Sequence, residues 1–332
     1  MARRYIRQLN DGDSLDDVFL VGDKQLRMNR QGNPYLQVEL RDRSGQITGR
    51  LWNATEHLSR QFASGDFIQA RGKVQLFQGA LQVILSAVSV VPSEKMDVSD
   101  FLPHTEQDIA KLLEKLKQVL MKIQQPNLKA LVQVFLMDEA FMAALAKVPA
   151  GVRNHHAYVG GLLEHIVKLL ELAERVLPLY PGLDKDLVVA GLFLHDLGKV
   201  RELTYERSFS YTDEGQLIGH MVIGVEMLND KIREAEQLLG EPFPTELCWR
   251  LKHTILSHHG AYEFGSPKLP MAPEAMAVHC LDNLDAKIHS LLRDIREDRG
   301  STNAWTPFNQ SLNRKLYKGG VSTTEEEPQD DL

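Results

Sequence analysis

The chain has little that would staple it covalently or anchor it in lipid. Only two of its 332 residues are cysteine. Cys248 and Cys280 match neither a Cys-x-x-Cys metal pattern nor a disulfide framework, so both are expected as buried, unpaired thiols. No stretch approaches the ~18 apolar residues that a membrane span needs, and the basic residues Arg3, Arg4 and Arg7 are followed by no apolar run. The expectation is a cytoplasmic protein with no membrane partner. There is no internal repeat, which argues against a solenoid. There is no surplus of positive charge either: 38 Lys/Arg face 45 Asp/Glu, a net of −7. That balance does not suit a protein that coats nucleic acid through bulk electrostatics.

What is present is ordinary in bulk and uneven in detail. A hydrophobic fraction of 43% with 25% charged residues is that of a globular protein, and the length suits two domains of roughly 100–200 residues. Residues 1–92 carry 12 Lys/Arg against 9 Asp/Glu, a net of +3, which leaves −10 for the other 240. Part of that deficit lies in residues 311–332, where Glu325, Glu326, Glu327, Asp330 and Asp331 predict a solvated, disordered tail. A polyanion would be drawn first to the amino-terminal part.

From about residue 14 to 92, apolar and polar residues alternate with period two between turn signals, the mark of short antiparallel strands. In Tyr35–Leu40 the even positions are apolar, and similar phase runs through Thr48–Trp52 and Gln69–Phe77. The opposite faces carry Tyr35, Arg50, Trp52, Arg71, Lys73 and Phe77. A short helical stretch at Asn53–Phe62 follows the third strand. Five strands with a helix after the third is the layout of an OB-fold, a small all-β barrel, here placed at 1–92. Such barrels bind oligonucleotides or oligosaccharides. Single strands are held by stacking on aromatic rings with basic groups along the backbone, so Tyr35, Arg50, Trp52, Arg71, Lys73 and Phe77 are the candidate contacts.

A linker is expected at 93–103, after which the period changes to about 3.6. An all-α domain is expected over 104–310, with helices near 105–123, 127–147, 157–177, 184–197, 218–238, 246–258 and 273–297. Leu203–Gln216 interrupts them as a possible hairpin.

Ten of the twelve histidines fall between 155 and 289. His195 and Asp196 sit side by side at the end of an apolar helix, and adjacent residues on a helix point about 100° apart. Both reach one cation only where a cage wraps that helix end. His165, His220, the pair His258–His259 and Asp282 each lie on a different expected helix. Packing these helices together would bury several polar groups at about 1–3 kcal/mol for each left unsatisfied, and metal coordination satisfies them at once. Imidazole and carboxylate without thiolate suit Mn²⁺, Co²⁺, Fe²⁺ or Zn²⁺.

The order His165, His195–Asp196, His220, His258–His259, Asp282 resembles the HD-domain phosphohydrolase superfamily in its longer, two-metal form. The words around it sharpen the likeness: His155–His165, Tyr211–Gly215 running to His220, and His258–Gly260 running to Pro267. With an OB-fold in front, the pattern resembles the YhaM type of 3′-to-5′ exoribonuclease. The resemblance implies one divalent ion on His165, His195, Asp196 and Asp282, and a second on Asp196, His220, His258 and His259. It favours Mn²⁺ or Co²⁺, with Fe²⁺, Zn²⁺ or Mg²⁺ as other occupants. Two ions about 3.5–4 Å apart acidify a shared water and stabilise charge on the attacking and leaving oxygens. The implied activity is hydrolysis of single-stranded RNA, with single-stranded DNA a second substrate, to nucleoside 5′-monophosphates.

Among accessory residues, Lys199 is a candidate contact to the scissile phosphate or a helix-end cation. His156, with His155, is a candidate proton donor to the leaving oxygen or a cap. Asp285 is expected behind a ligating imidazole. His57, His104, His253, His279 and His289 are read as surface or core residues. The alternatives are an HD-type phosphohydrolase of small or cyclic nucleotides with a regulatory barrel, and a single-strand-binding adaptor with a structural metal cage. Cyclic-dinucleotide phosphodiesterases of the superfamily carry Gly-Tyr-Pro where this chain has Gly265, Ser266 and Pro267. Self-association is left open.

Overall fold

Alternating strands bury one face each, and five of them close that face into a barrel. The computed structural model describes residues 3–29, 31–77, 80–93, 96, 100–152, 156–205, 209–298, 303–309 and 312–319. Strands β1 (Ser14–Met28), β2 (Pro34–Asp42), β3 (Gly45–Trp52), β4 (Phe67–Phe77) and β5 (Ala80–Val91) are joined in the closed order β1-β2-β3-β5-β4, with helix α1 (Glu56–Arg60) between β3 and β4. The interior is filled by Phe19, Leu36, Val38, Leu40, Ile68 and Val83, all inaccessible to solvent. This is the OB-fold layout.

Two features depart from the sequence reading. The strands run from 8 to 15 residues rather than being short, because β1 must pair with β2 along one half and β4 along the other. One ladder, β3 with β5, is parallel. The other four pairs of the five-membered ring are antiparallel, so the closing pair must run in the same direction. Gly72 sits at a register shift between β4 and β5; a Cβ there would lie 2.3 Å from the Ile84 carbonyl oxygen, so only glycine allows the bulge.

The segment expected as a linker is packed at its end. Phe101 and Leu102 are buried with Leu20 and Phe67, the Phe67 and Phe101 rings 4.6 Å apart, and the Tyr5 hydroxyl donates to Asp100 at 2.8 Å. Residues 103–105 then bond to Val159 through the Val159 N–H to the Pro103 carbonyl and the Thr105 N–H to the Val159 carbonyl.

The remaining elements are α2 (Ile109–Leu120), α3 (Pro126–Met137), α4 (Glu139–Leu145), α5 (Gly161–Val176), α6 (Lys185–Leu194), α7 (Lys199–Glu202), β6 (Leu203–Thr204), β7 (Ser210–Tyr211), α8 (Asp213–Ile218), α9 (His220–Leu239), α10 (Thr245–Ser257) and α11 (Pro273–Glu297). The expected helix over 127–147 is divided because Asp138 leaves helical geometry and accepts from the Phe141 N–H, capping a new helix. The interrupting segment pairs two strands of two residues each and is followed by α8, which Thr212 caps through the Gly215 N–H. Leu116, Leu120, Leu128, Phe135, Leu163, Leu170 and Phe193 centre the helical core. No helix among the described residues is long and apolar enough to cross a membrane. Residues 312–319 fold back on 303–309, with Trp305 and Tyr317 rings 5.1 Å apart, and 320–332 lie outside the described residues.

Candidate metal centre

The helical elements converge on a buried set of imidazoles and carboxylates. His165 comes from α5, His195 and Asp196 from the turn after α6, His220 from the first residue of α9, His258 and His259 from the end of α10, and Asp282 from the middle of α11. Gly198 permits the closest approach: a Cβ there would meet the His220 carbonyl oxygen at 1.9 Å, so its absence lets the His195–Asp196 turn press against the start of α9.

Each of the five histidines aims Nδ1 at a fixed acceptor. His195 Nδ1 lies 2.8 Å from the Leu192 carbonyl, His258 Nδ1 2.7 Å from that of Ile255, and His259 Nδ1 2.8 Å from that of Phe264. His165 Nδ1 lies 2.8 Å from Asp285 Oδ2, and His220 Nδ1 3.0 Å from Glu202 Oε1. Carbonyls and carboxylates only accept, so Nδ1 must carry the proton. The Nε2 lone pairs of His195, His220, His258 and His259 are thereby left for another partner, the preparation typical of a metal-ligating histidine.

The Nε2 atoms gather in two groups with Asp196 between them. His165, His195 and Asp282 offer donor atoms that all lie within 4.8 Å of one another, as do His220, His258 and His259. Asp196 Oδ2 is 3.4 Å from His195 Nε2, and Asp196 Oδ1 is 3.5 Å from the Nε2 atoms of both His220 and His258. His165 Nε2 lies 3.2 Å from Asp282 Oδ1. Donors about 2.1 Å from one cation lie ~3.0 Å apart in an octahedron and ~3.4 Å apart in a tetrahedron. The buried Nε2 atoms of His195, His220 and His258 and Asp196 Oδ1 have no hydrogen-bond partner. Buried polar atoms are rarely left this way, and four in one place fit divalent cations.

The charges fit the same occupant. Burial would raise the Asp196 carboxyl, but Lys199 and the neighbouring imidazoles of His195 and His258 hold it well below the usual carboxylate range. Burial likewise opposes ionisation of Asp282, and His165 and His195 outweigh it. Desolvation lowers His258 and His259 and so keeps them neutral. His165 differs: burial alone would lower it, but Asp282 and Asp285 push it up to about 9.

Of the accessory residues, Asp285 falls in its expected place behind a ligating imidazole. Lys199 is buried, with Nζ 2.7 Å from Asp196 Oδ2. His155 lies outside the described residues. His156, the candidate proton donor or cap, is inaccessible to solvent, its Nε2 3.0 Å from Asp285 and its Nδ1 2.7 Å from the Tyr158 hydroxyl. Asp285 stands behind His165. Sequence reading overlooked Glu202, whose carboxylate takes both the His220 backbone N–H and Nδ1–H; its one signal is its place a single helical turn after Lys199. It also overlooked Lys168, 2.7 Å from Asp285 Oδ1; His289, expected as a surface or core residue, stacks on His156 at 4.1 Å.

On the barrel, Tyr35 and Trp52 are register partners on β2 and β3 with rings 5.0 Å apart, and Trp52 is exposed. The Arg50 guanidinium lies 5.5 Å from the Phe77 ring. Arg50 and Lys73 are register partners of Ile84 from either side, and Lys73 and Phe77 are exposed. Arg71 faces Asp16 across β1 and β4 and forms an exposed pair with it at 3.0 Å.

A family model described as the HD domain matches residues 162–287, a span that contains every member of the two donor groups and Asp196. The chain carries an HD domain. HD domains are typically metal-dependent phosphohydrolases, which supports a hydrolase. In front of this HD domain, residues 21–91 match a model described as an OB-fold nucleic acid binding domain. Among solved structures, the second OB-fold domain of replication protein A from Methanococcus maripaludis is similar at 20% identity over 28% of this chain and 98% of that one, with a TM-score of 0.21. That likeness carries no argument.

Proposed function

We propose that the chain is a metal-dependent 3′-to-5′ exonuclease, acting on single-stranded RNA and secondarily on single-stranded DNA, that releases nucleoside 5′-monophosphates in the cytoplasm. The observation that carries the phosphodiesterase reading is the set of Nε2 atoms left bare by fixed Nδ1 protons around Asp196. Strand polarity and product rest on the resemblance of the motif order and the barrel-first architecture.

In this reading one divalent ion is held by His165, His195, Asp196 and Asp282 and the other by Asp196, His220, His258 and His259, with Mn²⁺ or Co²⁺ as occupants. Such a pair supplies Lewis acidity and an acidified water, and it stabilises charge on the attacking and leaving oxygens. The protein's own part is to hold the ligands. Backbone carbonyls and two carboxylates fix the imidazole rings, and Lys199 keeps Asp196 ionised and oriented. The barrel captures the strand: Tyr35 and Trp52 offer faces for bases, while Arg50 and Lys73 bring positive charge to a chain whose net charge is −7.

The test is a chelated and Mn²⁺-reloaded preparation given a 5′-labelled oligoribonucleotide, beside cyclic dinucleotides and deoxynucleoside monophosphates. The expected result is a ladder shortening one nucleotide at a time from the 3′ end, lost on chelation. Hydrolysis of the small nucleotides with the oligomer untouched would overturn the exonuclease and leave a small-nucleotide phosphohydrolase.

A further inference from the structure

Behind the His165 half of the centre lies a second layer, of which the proposed function uses only Asp285. Asp285 is 2% accessible and sits one helical turn after Asp282 on α11. Its Oδ2 receives two imidazole N–H groups, His165 Nδ1 at 2.8 Å and His156 Nε2 at 3.0 Å, and its Oδ1 meets Lys168 Nζ at 2.7 Å. His156 in turn is fixed on its far side by the Tyr158 hydroxyl at 2.7 Å and by the face of His289. Its backbone holds φ of 51°, a left-handed geometry uncommon for a side-chain-bearing residue, and its carbonyl oxygen accepts the Ala150 and Tyr158 N–H groups. A neutral imidazole has one N–H. With Nε2 facing a carboxylate, that proton belongs on Nε2, and Nδ1 lies 2.7 Å from the Tyr158 hydroxyl, which also bonds Glu164.

The two halves of the centre are supported unequally. Glu202 backs His220, and carbonyls from their own chain turns back His195, His258 and His259. Among the described residues, only His165 of these five is backed by a carboxylate that other side chains, His156 and Lys168, also hold. We infer that His156 is a positioning residue for one cation only: through Asp285 it sets the orientation of His165, and its loss weakens the ion on His165, His195 and Asp282 while sparing the ion on His220, His258 and His259. This rests on the two-cation reading. It predicts selective depletion, because an outer partner of a ligating histidine typically governs affinity by 10–100-fold at its own ligand.

The experiment uses the full chain, made metal-free and titrated with Mn²⁺, followed by elemental analysis and electron paramagnetic resonance. Wild type is expected to take two ions and show a spin-coupled pair. His156→Ala should keep one ion at wild-type affinity and bind the other 10–100-fold more weakly, so that at intermediate Mn²⁺ its spectrum is that of an isolated ion. His156→Gln, whose amide N–H can reach Asp285, should recover part of the loss. Combined with Glu202→Gln, which acts on the other ion, the losses should add. Two ions bound at wild-type affinity by His156→Ala, or equal weakening of both, would overturn the inference. Should His156→Ala fail to fold by circular dichroism, Lys168→Met bears on the same carboxylate from its half-exposed side and should weaken the same ion, with no change overturning the proposal. Wild type that binds no Mn²⁺ would sink the two-cation reading together with this one, whereas a normal wild type with an unaffected variant sinks this one alone.

Discussion

Asp196→Ala perturbs the centre at the one side chain that faces both donor groups. Its carboxylate and Lys199 form a buried pair at 2.7 Å, with side chains 3% and 11% accessible. Removing one partner of such a pair leaves a buried charge uncompensated and costs roughly 3–5 kcal/mol, a large share of the 5–15 kcal/mol typical of a domain. With a urea dependence of about 2 kcal/mol per molar, the unfolding midpoint of the metal-free protein should fall by about 2 M. Asp196→Ala/Lys199→Met removes both charges, so it should regain most of that loss, because an apolar side chain of similar length needs no counter-charge. Hydrolysis should be absent from both variants, since the carboxylate shared between the cations is gone in each. Urea unfolding followed by circular dichroism, with and without Mn²⁺, measures the first quantity; shortening of a labelled oligonucleotide measures the second. In wild type Mn²⁺ at 100 times its dissociation constant should add about 2.7 kcal/mol per ion, and in both variants most of that gain should vanish. A double variant no more stable than Asp196→Ala would exclude an uncompensated buried Lys199, and an Asp196→Ala protein that degrades the oligonucleotide at the wild-type rate would exclude Asp196 from the hydrolytic centre.

Metal loading should expel a proton. His165 is held at about 9 in the metal-free protein, above its ordinary value, so its protonated form stabilises the fold fully below about 6.5 and that contribution is lost as pH rises through about 9. A cation must displace this proton, and its apparent affinity should fall by up to tenfold per pH unit below about 9; calorimetry in two buffers of different ionisation heat reads the release directly. Glu202→Gln keeps the size of the residue that backs His220 but removes its charge, and should weaken one of two ions by about 10–100-fold in a Mn²⁺ titration. On the barrel, Trp52→Ala should weaken binding of a single-stranded oligonucleotide by about 1–3 kcal/mol, the worth of one stacked base, measured by fluorescence anisotropy. Arg71→Ala should change the same binding far less than Arg50→Ala, because Asp16 already occupies the Arg71 guanidinium.

The amino-acid order alone determined what depends on local periodicity. Period-two alternation around Tyr35–Leu40 specifies strands with one buried face, and the later 3.6-residue period specifies amphipathic helices, because each side chain's direction follows from its spacing within one element. The positions of His195 and His258 at helix ends were equally legible, and their Nδ1 acceptors lie only three residues back, at Leu192 and Ile255. What the tertiary structure alone decided are contacts between elements far apart in the chain. His165 and Asp285 are separated by 120 residues, His156 and Asp285 by 129, and His220 and Glu202 by 18 across a hairpin. The Asp282–Asp285 spacing put Asp285 behind a ligating imidazole without saying which one, and nothing marked Glu202 for His220, since packing rather than spacing sets which faces meet. The same holds on the barrel, where closure, not alternation, made β3 and β5 parallel and turned Arg71 toward Asp16. His156 shows the difference most plainly: its type and neighbourhood suit proton transfer, but burial against Asp285, Tyr158 and His289 removes it from any solvent-borne substrate and leaves it a partner only for other side chains.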